Sequence, residues 1–417
     1  WESFKEKRNS LNQQLSKLRS EDLRSKIEDS KGNAKKLFKL LNSSLNRKQE
    51  LPLPPHTDEI DLANDFNTFF DEKIKTIRSK LDSTINETPN DDEKASQMLR
   101  NFKKLSERPI LFNSYITPLS EVAAKNQVDD QKYADDEQLF LSFKPTFLEQ
   151  RNAAEKMVKC VAEIRKFLHE NKLCNNGEKT ELLFIGSPHQ LNKLQISSIN
   201  VDNVKITAAD QVRNLGVIFD KNMSMEKQIN KMCRNAYFNL RNISKIRKSL
   251  DKEVCKTAVN ALVTPHLDYG NGLLYGTSSH LIKKLQVAQN SAVRLIEKLK
   301  KHDSVSQYRK QLHWLPIPAR IQFKLMLTTW KAVNGQAPVY IQNLIQSKPK
   351  QNCNLRSNNK VLLKEPSSCN KNKFEDRAFS HAAPKLWNKL PDIVKASTTL
   401  ECFKRNLKTC LFKTFYK

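Results

Sequence analysis

Two adjacent carboxylates, Asp135 and Asp136, follow Tyr133-Ala134 and precede the apolar run Leu139-Phe140-Leu141. A pair of this kind on a tight turn, with an aromatic before it and strand-forming residues after it, suits a divalent cation. Nucleotidyl transfer uses two Mg2+ ions about 4 Å apart, one activating the attacking hydroxyl and one steadying the leaving pyrophosphate. Mg2+ prefers hard oxygen ligands, so carboxylates are the side chains such a centre needs. A hairpin tip would carry them out to the ions. By itself an Asp-Asp pair is more often a solvated turn, so the elements around it decide how it is read.

Residues 133–143 read as a strand hairpin holding the pair. A helix follows, because Ala154, Met157, Val161, Ile164 and Leu168 step by three and four. Leu182-Leu183-Phe184-Ile185, stopped by Gly186, reads as a buried strand, and 204–207 with 212–219 as a second hairpin. This β, α, β, β order predicts a small α+β unit. Beyond residue 221 helices dominate. Met225, Ile229, Met232, Ala236, Leu240, Ile243, Ile246 and Leu250 form one apolar stripe, with Lys227, Lys231, Arg234, Arg241, Lys245 and Lys248 off it. Further helices are expected over 280–300 and 310–346. A basic, polar loop is expected over 346–373, and a helical tail over 374–417 with Phe379, Trp387, Leu390, Phe403, Leu407 and Phe412 as core.

In front of the hairpin, residues 1–48 read as basic helices, with Leu11, Leu15 and Leu18 at helical spacing and likewise Leu37, Leu41 and Leu45. Pro52, Pro54 and Pro55 cannot continue a helix, since proline lacks the N–H and restrains its neighbour. A second helix carries Ile60, Ala63, Phe66 and Phe70 on one face, and 82–98 reads as a linker. Asp129 and Asp130 read as too close to the pair to supply a separate adjacent strand.

Composition narrows the partners. Lys and Arg total 72 against 45 Asp and Glu, a formal net charge of +27 over 417 residues. Such an excess requires counter-charge, and a phosphate backbone is the commonest source. No apolar run is long enough to span a bilayer, and no signal-peptide core is seen. Mean hydropathy of -0.64 predicts folded pieces joined by solvated segments. The eight cysteines form no C-x-x-C pair, which leaves zinc unsupported and points to reduced thiols in the nucleus or cytoplasm. A chain opening on Trp1 reads as a fragment or an open-ended translation.

The run Tyr133-Ala134-Asp135-Asp136-Glu137-Gln138-Leu139-Phe140-Leu141-Ser142-Phe143 resembles the catalytic hairpin of reverse transcriptases from non-LTR, LINE-type retrotransposons of the jockey and chicken-repeat kind. Asn171-Lys172-Leu173, with Asn176, Glu178, Lys179, Thr180 and Glu181, resembles the next palm motif. Val212-Arg213-Asn214-Leu215-Gly216-Val217-Ile218-Phe219-Asp220 resembles the primer-grip hairpin. Leu312-His313-Trp314-Leu315-Pro316-Ile317, and Arg377-Ala378-Phe379 with Ala382-Ala383-Pro384-Lys385-Leu386-Trp387, resemble C-terminal signatures. Leu62-Ala63-Asn64-Asp65-Phe66-Asn67-Thr68-Phe69-Phe70 resembles the connector before the polymerase.

The resemblance implies an α+β fold: a truncated reverse-transcriptase palm, then an α-helical thumb and a helical C-terminal domain, with a helical connector in front. The corresponding limits are 1–81 for the connector, 82–107 for a linker and the start of the polymerase region, 108–220 for the partial palm, 221–300 for the thumb and 301–417 for the C-terminal domain. It implies that Asp135 and Asp136 hold Mg2+, that Tyr133 abuts the primer terminus, and that Leu215 and Gly216 form the primer-grip turn. Lys227, Lys231, Arg234, Arg241, Lys245 and Lys248 would then touch the backbone of an RNA template and DNA primer, or of other nucleic acid. The family also carries an earlier catalytic Asp, fingers and a Gln-Gly turn. Here Arg108-Pro109-Ile110-Leu111-Phe112 enters just before the hairpin and leaves no room for them, so an internal deletion is inferred. Glu137, where the family has Thr or another polar residue, adds negative charge beside the pair. The expectation is an RNA-directed DNA polymerase by ancestry, catalytically impaired. The alternative is a non-catalytic basic protein that binds nucleic acid through its thumb and C-terminal region. His313 with Trp314 is expected as a packed pair, and Trp387 as core.

Overall fold

The computed structural model describes residues 2–30, 115–173, 179–201, 204–348, 362–366 and 375–416, with isolated positions between 33 and 112. The proline-rich stretch at 51–55, the linker at 82–98, and nearly all of the helix read over 60–70 lie outside the described residues. The chain forms two compact units. One holds residues 50–214 and 220–223; the other holds 1–49, 215–219 and 224–417.

Helix α1 spans Glu2–Glu28. Leu11, Leu15 and Leu18 are exposed on it, whereas Ile27 is buried in the core of the larger unit.

The smaller unit begins with α2 (Pro118–Lys125), then β1 (Asp129–Tyr133) and β2 (Asp136–Phe140), which pair antiparallel with Tyr133 opposite Asp136. The 24-residue α3 (Phe147–Glu170) follows, then a short α4 (Pro188–Leu191) capped reciprocally by Ser187 and Gln190. Strands β3 (Ser198–Val201) and β4 (Val204–Thr207) form a second antiparallel pair, with Ile199 opposite Ile206. A third pair is β5 (Gln211–Asn214) and β6 (Val217–Asp220), of which residues 217–219 belong to the larger unit.

Helix α3 is apolar on two sides, and that organises the unit. Cys160 and Ile164 pack with Ile116, Leu119, Ala123 and Val128 under the first hairpin. Ala154, Val158 and Val161 cover Ile199, Val201 and Ile206 of the second hairpin. Val204–Thr207 therefore pairs with Ser198–Val201, not with residues 212–219; the period-two pattern Ile199, Val201 makes that face buried. The strand expected at 182–185 shrinks to one bridge, Leu182 to Ala208, and Ile185 is exposed. The segment meets a neighbour only at its start, and a strand without a neighbour has no ladder.

Among the described residues the larger unit is mainly helical: α5 (Glu226–Ile246), a 3-10 turn (Arg247–Ser249), α6 (Lys252–Leu262), α7 (Thr264–Asp268), α8 (Ser279–Glu297), α9 (Ser306–Gln311), α10 (Ile317–Val333), α11 (Val339–Gln342), α12 (Phe379–Asn388), α13 (Asp392–Lys395) and α14 (Leu400–Phe415). Among the described residues the chain is thus mostly helical with three short strand pairs. The predicted stripe on α5 is realised: Met225, Ile229, Met232, Ala236, Leu240, Ile243 and Leu250 are buried and Ile246 partly so. In the tail Phe403 lies between Trp330 and Trp387, with ring centroids 5.6 and 6.0 Å away. Trp387, Phe403 and Leu407 are buried, and Phe379, Leu390 and Phe412 pack beside them. His313 differs from expectation. It is exposed, its ring 5.8 Å from Phe412, while Trp314 packs on the core and its carbonyl accepts from the Tyr416 hydroxyl at 2.5 Å.

Among the described residues no helix is long and apolar enough to cross a membrane. Cys160, Cys233, Cys255, Cys402 and Cys410 are free thiols. Burial raises Cys160 and Cys255 to about 11, so neither is a ready nucleophile.

Candidate nucleic-acid interface

The first hairpin closes on a two-residue turn, Ala134-Asp135, between Tyr133 and Asp136. Ala134 sits at φ 53, in the left-handed region that a two-residue hairpin turn requires. Asp135 is thereby at the tip and Asp136 opens β2, both exposed beside Tyr133, which is 65% exposed. Gln138 Nε2 donates to Asn214 Oδ1 at 3.1 Å and fixes the hairpin to β5.

The face opposite Asp136 carries Asp130, Lys132 and Glu137. Asp130 accepts from the Ser120 hydroxyl at 2.7 Å and lies 3.4 Å from Lys132, whose ammonium also donates to the Ile116 carbonyl at 3.0 Å. Asp129 and Asp130 do lie on an adjacent strand, β1, in the same hairpin. Asp129 shares the outer face with Asp136 but stands four residues along, about 13 Å. Glu137 points inward, away from the acidic pair. Its buried Oε1 has no hydrogen-bond partner, and burial raises its pKa against the opposing pull of Lys132. The extra charge expected beside Asp136 is therefore on the other side of the sheet and disfavoured.

Among the described residues no third His, Cys, Asp or Glu joins Asp135 and Asp136. Two exposed carboxylates can loosely hold a hydrated Mg2+. By themselves they do not make the donor set of a two-ion centre.

The second site is built on α5. The turn before it, Leu215-Gly216, has φ 43 and 82, both left-handed. A branched residue is strained at such a φ, and Gly216 is required there by φ, since a Cβ would meet Tyr269 only at ordinary contact distance. Three side chains hold the turn. Tyr269 donates its hydroxyl to the Leu215 carbonyl at 2.5 Å, Lys231 donates to the Gly216 carbonyl at 3.0 Å, and Gln228 Oε1 accepts from Ile218 N–H at 3.0 Å. Lys231 is thus set apart from the other five cations: it is half-buried and occupied by the turn.

Lys227, Arg234, Arg241, Lys245 and Lys248 are exposed, and among the described residues none is ion-paired. At 100° per residue, Lys227, Arg234, Phe238, Arg241 and Lys245 fall within about 60° of one another. The row from Lys227 to Lys245 is about 27 Å long, the axial rise of roughly eight nucleotides of a duplex strand. Lys284 on α8 is not part of the row, since its ammonium lies 3.5 Å from Glu226 and donates to Asn230 Oδ1 at 3.3 Å.

The period of the cations was readable in sequence, but the diversion of Lys231 was not. Tyr269 and Gln228 were missed as well. Tyr269 meets the turn from 54 positions away with no local signal, and Gln228 looks like any polar residue on an amphipathic helix. No family model, no curated protein and no solved structure matches the chain.

Proposed function

We propose that this chain is a nucleic-acid-binding protein descended from the reverse transcriptase of a non-LTR retrotransposon, and that α5 grips the phosphate backbone without extending a primer. The observation that carries the reading is the row of unpaired cations on α5. Solvated charges of one sign along one helix face supply affinity without sequence preference. The net charge of +27 supports it. So does the turn at Leu215-Gly216, held rigid beside the helix where the resemblance places a primer grip.

A salt titration with a labelled single-stranded RNA and a duplex of the same length tests this. Four phosphate contacts give a slope in log K of about -3 against log salt, so affinity should fall about 30-fold between 0.1 and 0.3 M. A flat profile, or no binding at 50 mM salt, would sink the proposal.

The non-catalytic part has its own test, Mg2+-dependent primer extension on an RNA template. A folded, RNA-binding sample should give no product above that of the Asp135→Asn, Asp136→Asn double variant. Extension abolished by that variant would mean that a carboxylate outside the described residues completes the centre.

A further inference from the structure

The smaller unit contains a sheet edge that no other strand meets among the described residues. Strands β3 and β4 pair on one side only. The Ala208 amide donates to the Ser197 carbonyl at 2.8 Å, which makes 197 and 208 a hydrogen-bonded pair. Bonded and non-bonded pairs alternate in an antiparallel ladder. Ser198 and Asn200, opposite Thr207 and Lys205, are therefore the non-bonded residues, and their N–H and C=O groups point away from β4. Among the described residues nothing bonds these groups. Upstream, the buried Gln150 carboxamide binds the Lys193 carbonyl and the Gln195 amide at 3.0 and 2.8 Å, holding the approach to the strand flush against α3.

Beside this edge runs an open groove of about 470 Å³ between α3 and β3, floored by Ala154, Val158, Ile196 and Ile199. Strand β3, Ser198-Ile199-Asn200-Val201, is short but has no charge and no proline, two of the devices that ordinarily protect an edge. The charges around it are mainly basic. Arg151 and Lys159 stand on the rim and Lys193 and Lys205 are exposed nearby, against Glu155, which Arg151 engages at 2.8 Å.

We propose that the free edge of β3 and the groove beside α3 form a docking site for an extended peptide, apolar at alternate residues and acidic at its flanks, which adds as a third strand. The backbone ladder gives affinity, and every second side chain enters the groove. A second copy of this chain is the poorer occupant, because it would bring two basic rims together.

The probe is a fluorescein-labelled nonapeptide, Glu-Val-Thr-Val-Glu-Val-Thr-Val-Asp, added to the full chain and followed by anisotropy. Its partner carries N-methyl groups on the amides that would face β3. Saturable uptake is expected, weakened roughly tenfold or more in the N-methylated peptide. Ser198→Pro removes a donor from the free edge alone and should weaken uptake similarly; should it unfold the hairpin, the N-methyl comparison still decides. Equal uptake of both peptides, or none, overturns the proposal. So does displacement of the peptide by a single-stranded RNA, which would make this a nucleic-acid site. A Ser198→Pro-sensitive dimer without uptake would assign the edge to a second copy and overturn it equally.

Discussion

Replacing Lys227, Arg234 and Arg241 together by Gln will lower affinity for single-stranded RNA about 100-fold at 0.1 M salt. Each neutralised phosphate contact removes about 0.7 from the salt slope on a single strand, so three remove about 2.1. A slope change of 2.1 over the decade between 1 M and 0.1 M is about two orders of magnitude in the binding constant. On a duplex the three contacts remove about 2.7, and the loss should be larger. The fold should not change. All three side chains are exposed and none is ion-paired among the described residues, so stability should move by no more than about 0.5 kcal/mol. Titrations at four salt concentrations separate this from a general loss of charge. If the triple variant keeps the wild-type slope, the helix face is solvated surface and the binding lies elsewhere. Lys231→Met makes the contrast, since Lys231 acts on the Gly216 carbonyl. It should destabilise the larger unit before it alters the slope.

Arg247→Met is expected to cost about 4 kcal/mol of stability, read as a shift of the urea midpoint of the larger unit. Arg247 is 8% exposed in the 3-10 turn after α5. Its guanidinium donates at 2.6 Å to each of the Leu295, Ile296 and Leu250 carbonyls. Helix α8 ends there, and its last carbonyls have no intrahelical partner. Leu299 N–H satisfies that of Arg294, with Lys298 at φ 55, which leaves Leu295 and Ile296 to Arg247. A planar fork meets three diverging acceptors, and its charge faces the negative end of the helix. Without it, three buried carbonyls lose charge-assisted bonds, each a contribution of about 1.5–3 kcal/mol. Methionine refills part of the volume, which keeps the total below their sum. Arg247→Lys should recover less than half, because one ammonium cannot span the same three directions. A loss under about 1 kcal/mol would mean that water reaches these carbonyls when the side chain is gone.

The sequence by itself determined the elements whose burial is a local periodic property. The stripe from Met225 to Leu250 makes α5 and turns its cations outward, because an amphipathic helix buries its apolar face and leaves the charged one to water. Helix α3 follows from the same spacing. The hairpin around Asp135 was legible only in part: the sequence places it over 133–143, whereas the pairing runs from 129 to 140, because β1, Asp129-Asp130-Gln131-Lys132-Tyr133, has few strand formers to announce it. Tertiary structure decided what depends on partners distant in the chain. The strand at 198–201 has a weak signal and exists because α3 covers Ile199 and Val201, whereas the stronger apolar run at 182–185 forms a backbone bridge at one residue, Leu182, among the described residues. Lys231 and Lys227 look alike in sequence, yet one is drawn to the Gly216 carbonyl by the path of the preceding hairpin. Glu137 sits next to Asp136 in the chain and faces the opposite side of the sheet, because successive residues of a strand alternate. Arg247 gave no signal at all, since its three acceptors are fixed only when α8 ends against the turn. Periodicity reports which face is buried; which atoms a buried polar group meets is set by packing alone.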